Sequence, residues 1–208
     1  MTTKRSLIRR ATAVAAAATG ALVLAACGGN GDDNGSAHNG HNAASPSASA
    51  PAQQGDHNAA EVAFAQGMIP HHRQAIEMAD LAATRAESAD VKKLAGEIKK
   101  AQDPEIKTLS GWLTSWGEEI PAEGEGHGGH DMSGMMSAEE MKQLESSSGK
   151  AFDTAFLTMM VKHHEGAVAM AKTEQSDGTY PPAKDMAGAI ITSQSAEIAQ
   201  MNTLLSKS

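Results

Sequence analysis

The sequence predicts an all-α protein, a four-helix bundle made of two repeated helical hairpins. The first observation is an internal repeat, because residues 64–113 align without a gap with residues 156–205. The second is that both halves contain apolar stripes with the period of an amphipathic helix, about 3.6 residues. The third is that no alternating run rich in Val, Ile, Thr and aromatics indicates a strand. Only 3% of the residues are aromatic, so Ala, Met, Leu and Ile must fill the core.

Residues 1–26 are predicted to be an export signal and not part of the fold. Basic residues precede a small, apolar run at residues 11–26, which is the layout of a secretory signal. The run ends before Cys27 in the sequence Leu-Ala-Ala-Cys, which resembles the lipobox of bacterial lipoproteins. The resemblance implies cleavage before Cys27, acylation of its thiol and anchoring to the outer face of the cell membrane. The alternative is an ordinary signal followed by a chance cysteine.

Composition excludes several classes of function. Cys27 is the only cysteine, so the folded part has no thiol for a disulfide or a thiolate metal site. All 25 acidic residues follow the predicted cleavage site, whereas some of the 17 basic residues precede it. The exported chain is therefore strongly acidic, which argues against nucleic-acid binding and fits the binding of a cation.

The exported part divides into a flexible tether and the bundle. The tether is rich in Gly, Asn, Ser, Ala and Pro, a composition typical of linkers. Asn58 is the predicted N-cap of the first helix, and the connector between the hairpins is expected to contain a short helix. The predicted boundaries are 27–57 for the tether, 58–208 for the bundle, 58–113 and 151–208 for the hairpins, 114–150 for the connector, 137–146 for its helix, and 87–90 and 176–182 for the turns.

The repeat preserves one polar face inside each hairpin. On a helical wheel, Met68, His71 and His72 share the face that the repeat conserves. In the second helix, Gln102 lies within the apolar stripe and Glu105 at its edge. Burying a carboxylate among alkyl groups is costly unless a partner or a metal compensates. The second hairpin repeats these positions as Met160, His163, His164, Gln194 and Glu197.

These residues stand in motifs that resemble the paired signatures of the domain of unknown function 305 family. The motifs are Met-Ile-Pro-His-His at residues 68–72, Met-Met-Val-Lys-His-His-Glu-Gly-Ala at 159–167, and Gln-x-x-Glu-Ile at 102–106 and 194–198. The resemblance covers roughly residues 59–205. It implies a ferritin-like four-helix bundle that is often exported, with some members implicated in copper binding and tolerance.

The types of side chain favour copper. Thioether together with imidazole favours Cu(I), whereas imidazole with carboxylate suits zinc, iron or Cu(II). A ferritin-type di-iron site uses Glu-x-x-His, but at that spacing this chain has Met68-x-x-His71 and Met160-x-x-His163. We therefore expect a copper ion, with zinc or iron as alternatives. The predicted ligands are His71, His72, His163, His164, Met68, Met160, Glu105 and Glu197, with Gln102 and Gln194 supporting them.

Some of these roles have alternatives. Glu105 and Glu197 either bind the metal or orient the imidazoles. Met78 and Met170 are either auxiliary ligands or core-filling residues. The connector contains a His- and Met-rich stretch that either captures ions first or is a solvated linker, and its residues are His127, His130, Met132, Met135 and Met136.

The sequence thus predicts an exported, lipid-anchored protein that binds copper for sequestration, tolerance or delivery. A ferritin-like, metal-dependent oxidoreductase in the same bundle is an alternative. A third interpretation is a structural or partner-binding bundle whose His and Glu side chains form a metal-free network. The sequence has no nucleophile triad, phosphate loop or nucleotide fingerprint, so hydrolase and kinase functions have no support. Sites within one chain and sites shared in a homodimer are both compatible with the sequence.

Overall fold

Five helices follow one another in the computed structural model, which describes residues 57–123 and 133–207. They are α1 (Ala59–Arg85), α2 (Ala89–Trp116), α3 (Ala138–Ser146), α4 (Gly149–Asp177) and α5 (Pro181–Leu205). No strand occurs in these two stretches, and the predicted all-α helical bundle is confirmed. The predicted export signal, Cys27 and nearly all of the tether lie outside the described residues.

Side-chain caps fix the starts of α1, α2 and α3. The Asn58 side chain accepts a hydrogen bond from the backbone N–H of Ala60 at 2.6 Å, and Glu61 accepts one from the backbone N–H of Asn58 at 2.6 Å. This reciprocal pair is a capping box. Ser137 starts α3 with a second capping box. No described helix is both long enough and apolar enough to span a membrane.

Each hairpin turn is held by a carboxylate from the other hairpin. Asp153 on α4 accepts hydrogen bonds from two backbone N–H groups of the α1–α2 turn, at 3.1 and 2.8 Å. Glu61 on α1 accepts hydrogen bonds from two backbone N–H groups of the α4–α5 turn, one of them at 2.6 Å. Both carboxylates are buried and occupy equivalent positions of the repeat. This exchange ties the hairpins together around an approximate two-fold axis.

The hairpins meet mainly through α1 and α4. Within each hairpin, α2 packs along α1 and α5 packs along α4, while α3 lies against both central helices. α1 and α4 are therefore the two helices with neighbours on most sides. The first helix of each hairpin, which carries the paired histidines, is in this way placed at the centre of the bundle.

A layer of buried polar side chains divides the core into two apolar clusters. One cluster includes Met78, Ile98, Met160 and Met201, and the other includes Met68, Leu109, Ala171 and Ile190. Along every long helix, the change from one cluster to the other falls at buried polar residues. These residues are His71 and His72 on α1, Gln102 on α2, His163 and His164 on α4, and Gln194 on α5. We call this set, with Glu105 and Glu197 at its edges, the polar layer.

Candidate metal centre

The polar layer brings all four predicted histidines into the middle of the bundle. His71 is 1% exposed, and the other three are 0% exposed. Neighbouring residues on a helix point about 100° apart, so the two histidines of one pair cannot face the same helix. One histidine of each pair faces the opposite hairpin, and the other faces the second helix of its own hairpin.

His72 and His164 are each paired with a glutamate of their own hairpin. Nε2 of His72 lies 2.6 Å from Oε2 of Glu105, and Nε2 of His164 lies 2.6 Å from Oε2 of Glu197. Because a carboxylate only accepts, Nε2 donates, and the neutral ring then has its lone pair on Nδ1. Carboxylates orient metal-binding imidazoles in this way in many proteins. Each glutamate therefore contacts a histidine, which is the arrangement required if the glutamates orient the imidazoles.

His71 and His163 lie against each other where α1 meets α4. Their ring centroids are 3.7 Å apart, and the ring planes are inclined at 44°. Burial lowers the pKa of His71 to about 3, and the neighbouring His72 adds to this effect. Burial also lowers the pKa of His163 well below its ordinary value, with His71 adding to it. Both rings are uncharged at neutral pH, so their lone pairs are available to a cation without displacement of a proton.

Six ring nitrogens of the polar layer have no hydrogen-bond partner among the described residues. The backbone of Ser133 lies beside the His71 ring and the backbone of His71 lies beside the His163 ring, and each opposes the lowering of the pKa of that ring. Buried polar atoms without partners are rare in proteins, so this concentration marks the polar layer as a candidate ligand-binding site. The six nitrogens are Nδ1 and Nε2 of His71 and of His163, and Nδ1 of His72 and of His164.

The glutamates do not complete a closed site. Within residues 57–123 and 133–207, no three side chains of His, Cys, Asp or Glu converge as the ligands of one metal ion. The predicted thioethers are buried on opposite sides of the polar layer, Met68 in one apolar cluster and Met160 in the other. The groups in this layer without partners among the described residues are therefore imidazole nitrogens and the amide oxygens of Gln102 and Gln194, with one thioether in the apolar cluster on each side.

The family model of domain of unknown function 305 (DUF305) matches residues 61–205. The chain belongs to the DUF305 family. A DUF305 protein of Streptomyces coelicolor, inferred to be secreted, is 32% identical with a TM-score of 0.65, over 71% of this chain and 93% of that one. A DUF305 fragment from Deinococcus radiodurans is 29% identical with a TM-score of 0.64, over 73% of this chain and 98% of the fragment.

CopM is a third similar structure, and it has been solved with metals bound. In its Cu(II)-bound form it is 35% identical with a TM-score of 0.62, over 71% of this chain and 96% of CopM. Its Cu(I)-bound and silver-bound forms are similar to this chain as well, each at 32% identity. Comparison with curated proteins gave no significant match.

The end of the connector, residues 133–136, lies across α1 and α4 beside the polar layer, and we call it the strap. Gln74 on α1 binds its backbone twice, donating to the Met136 carbonyl at 2.8 Å and accepting from the Met136 N–H at 2.7 Å. On α4, Gly166 permits close approach, because a Cβ there would lie 2.0 Å from a carbonyl oxygen of the strap. The strap is thus seated on the turn of α4 that follows the second histidine pair.

The predicted auxiliary residues fall in different environments. Met78 and Met136 are buried in one apolar cluster, and Met135 is partly exposed. Met170 is partly buried, with its Sδ 3.4 Å from the position that a Cβ would occupy at Gly67. The described residues do not include His127, His130 and Met132.

Sequence reasoning assigned no role to four residues that the structure shows to be important, namely Glu61, Gln74, Asp153 and Glu174. Glu61 and Asp153 are both acidic at one position of the repeat, a signal that could have shown their shared role. At another position of the repeat, Gln74 in the first hairpin corresponds to Gly166 in the second. This difference between the copies could have indicated the strap. Glu174 gave no signal, yet it is 1% exposed and both of its carboxylate oxygens lack partners among the described residues. Burial raises its pKa to about 7, and the charge of Glu61 adds to this effect.

Proposed function

We propose that this protein binds copper in the polar layer and buffers the ion or hands it on outside the cytoplasm. The observation that carries the proposal is the set of six buried imidazole nitrogens without partners in the described part of the chain. A buried polar group left unpaired costs about 1–3 kcal/mol. The repeat preserves this cost in both hairpins, and an ion that uses the lone pairs of these rings offsets part of it, because a neutral ring has one lone pair and one N–H.

The choice of copper rests on ligand chemistry. Structural zinc is held in a closed tetrahedral site, whereas the described side chains bring no three His, Cys, Asp or Glu groups together. Cu(I) is stable with fewer ligands and favours thioether with imidazole, the types present in and beside the polar layer. The copper- and silver-bound forms of CopM support the same assignment.

In this proposal the residues have distinct roles. His71 and His163 provide lone pairs at the contact between the hairpins, and Met68 and Met160 are the soft ligands. His72 and His164 offer Nδ1. Their glutamate partners are positioning residues, because each already uses an oxygen on an imidazole Nε2, and their negative charges balance the charge of the ion.

A metal-free hydrogen-bond network is the competing explanation, and the geometry favours copper over it. A network would pair the rings with one another or with the glutamines. Instead, the His71 and His163 rings lie against each other at a centroid distance of 3.7 Å with their planes tilted by 44°, and the Oε1 atoms of Gln102 and Gln194 are unpaired among the described residues. A buried network that is only partly satisfied is less stable than an apolar core.

Metal analysis of the full chain tests the proposal. The protein is equilibrated with Cu(I), Cu(II), Zn(II) or Fe(II), desalted and assayed for retained metal. Copper retention in the wild type is expected to disappear in a variant with Ala at all four histidines of the polar layer. His57→Ala is the matched control, because His57 stacks on Trp116 at a centroid distance of 4.5 Å, away from the layer. Circular dichroism verifies the fold of each variant. Equal copper retention by all three proteins, or none by the wild type, would refute the proposal.

We also propose that the protein is attached to the outer face of the membrane through acylated Cys27. The signal layout of residues 1–26 supports this, as does the S. coelicolor relative that is inferred to be secreted. Cys27→Ala is expected to move the protein from the membrane fraction to the soluble exported fraction. A variant that stays in the membrane fraction would contradict the lipid anchor.

A further inference from the structure

A groove of about 330 Å³ runs between the first half of α1 and the second half of α4. At one end it is lined by Ala60 and by Glu174 and Asp177 of α4; at the other it is lined by Gly67, Met170 and Ser133. The groove thus has one acidic end, while the other end reaches the strap.

The repeat explains why the groove is open. The position of Ala60 is occupied in the second hairpin by Phe152, which is fully buried and stacks on Phe156 with centroids 5.8 Å apart. The position of Gly67 is occupied in the second hairpin by Met159, which packs against the apolar cluster that contains Phe152 and Phe156. The equivalent space in the other half of the bundle is therefore filled by large side chains. In this half, the small residues Ala60 and Gly67 leave it open.

Two groups in the groove suit a soft cation. The Glu174 carboxylate is 1% exposed and has no partner for either oxygen among the described residues. Its equivalent in the first hairpin is Ala82, so the carboxylate occurs only where the groove is open. The Met170 thioether lies on the wall, 3.4 Å from the Cβ position of Gly67. Thioether favours Cu(I), and the carboxylate supplies the countercharge.

The other end of the groove adjoins the polar layer. Gly67 precedes His71 by one helical turn, so both lie on one face of α1. Ser133, which lines the groove, also has its backbone beside the His71 ring. A cation at Met170 would therefore lie at the end of the groove where the strap reaches the first histidine.

We propose that this groove is a second soft-cation site, with Met170 as its thioether ligand and Glu174 as its counterion, through which Cu(I) reaches the histidines. The proposal rests on the proposed function, since it assigns the ion's route to the polar layer. It also predicts a direction: ions enter between α1 and α4 in this half of the bundle, and the half filled by Phe152 and Met159 is closed.

Transfer kinetics test the route. The full chain takes Cu(I) from a coloured chelate, and loss of colour gives the rate of uptake. Gly67→Met introduces the residue that the repeat has at the equivalent position, and Met170→Leu removes the thioether at similar volume. Both are expected to slow uptake several-fold, and Met170→Leu is also expected to bind less copper in total, because the groove site has lost its thioether. Met201→Leu, at a buried methionine of the other apolar cluster with no proposed part in metal binding, is the control and is expected to load at the wild-type rate. Equal rates for all four proteins would overturn the route.

A second measurement separates this site from the histidine site. Methionine methyl groups labelled with ¹³C are followed by NMR as Ag(I) is added to the full chain and to the variant with Ala at all four histidines. The Met170 methyl signal is expected to shift in both proteins, and no shift in the histidine variant would overturn the groove site. If the wild type retains no copper but its Met170 signal shifts, the proposed function fails and the groove site stands.

Discussion

Acid is expected to destabilise the metal-free protein through the histidines that face each other across the hairpins. His71 has an ordinary imidazole pKa of 6.5 in the unfolded chain, whereas burial holds its pKa near 3 in the fold. Between these values the unfolded state binds a proton that the folded state does not. The free energy of unfolding therefore falls as the pH falls from about 6.5 towards 3.

The size of this effect follows from the pKa difference. One pH unit corresponds to about 1.4 kcal/mol for one proton, so at pH 4.5 His71 alone costs about 3 kcal/mol relative to pH 7.5. His163 has the same direction, because burial also lowers its pKa. Glu174 acts in the opposite direction, since its raised pKa penalises the fold only at the higher pH. A comparison of variants is therefore needed to isolate the contribution of His71 to the pH dependence of the free energy of unfolding.

Urea unfolding followed by circular dichroism at pH 7.5 and 4.5, with a chelator present, gives that comparison. The difference in free energy of unfolding between the two pH values is expected to be about 3 kcal/mol smaller in His71→Leu than in the wild type. His57→Leu, outside the polar layer, is expected to keep the wild-type difference. If His71→Leu loses as much stability in acid as the wild type, the fold does not hold this ring neutral.

Three further predictions concern carboxylates. The double variant Glu105→Gln, Glu197→Gln is expected to bind copper about 10–100-fold more weakly, as measured by competition with a chelator. The control Glu97→Gln, at an exposed position, is expected to leave copper binding unchanged. Unaltered affinity in the double variant would show that the glutamates do not position the histidines. Asp153→Ala leaves two backbone N–H groups of the α1–α2 turn without their acceptor. The free energy of unfolding, measured in urea, is therefore expected to fall by about 2–4 kcal/mol. A change near zero would contradict the anchoring role of Asp153. Glu174→Gln removes a buried charge and is expected to stabilise the fold by about 1–2 kcal/mol at pH 8. This gain is expected to shrink as the pH falls from 7 towards 4.5. Equal effects at pH 8 and pH 4.5 would show that burial does not penalise the charge of this carboxyl group.

The helices and the buried histidines could be predicted because both follow from local rules. The apolar period identifies a helix and its inner face, and Asn58 and Ser137 mark helix starts through side-chain caps. A repeat of such a pattern then implies that the same residues are buried in each copy. The polar layer follows from this argument, because Gln102 and its repeat equivalent lie in the same stripe as the apolar residues.

The contact between His71 and His163 could not be predicted in the same way. A repeat shows that two residues have equivalent environments, but equivalent residues touch only where they lie on the symmetry axis. The position of that axis depends on how α1 crosses α4, which is set by packing across the whole interface. The anchoring of each turn by Glu61 or Asp153 is missed for the same reason, since both contacts join residues more than a hairpin apart in sequence.

The differences between the two copies carry information that the identities do not. A symmetric bundle would offer an ion two equal approaches to the polar layer. Here Gln74 and Gly166 differ so that the strap can bind α1 through one and approach α4 closely at the other, and Gly67 differs from Met159 so that the groove can open beside α1. Each of these differences between the copies reduces stability. The groove lacks dispersion contacts that the large side chains of the other copy make. Glu174 is a buried carboxyl group whose charged form is penalised by burial. A bundle selected only for stability would fill both halves as Phe152 and Met159 fill one, so the open half is the part of the fold in which a function opposes packing.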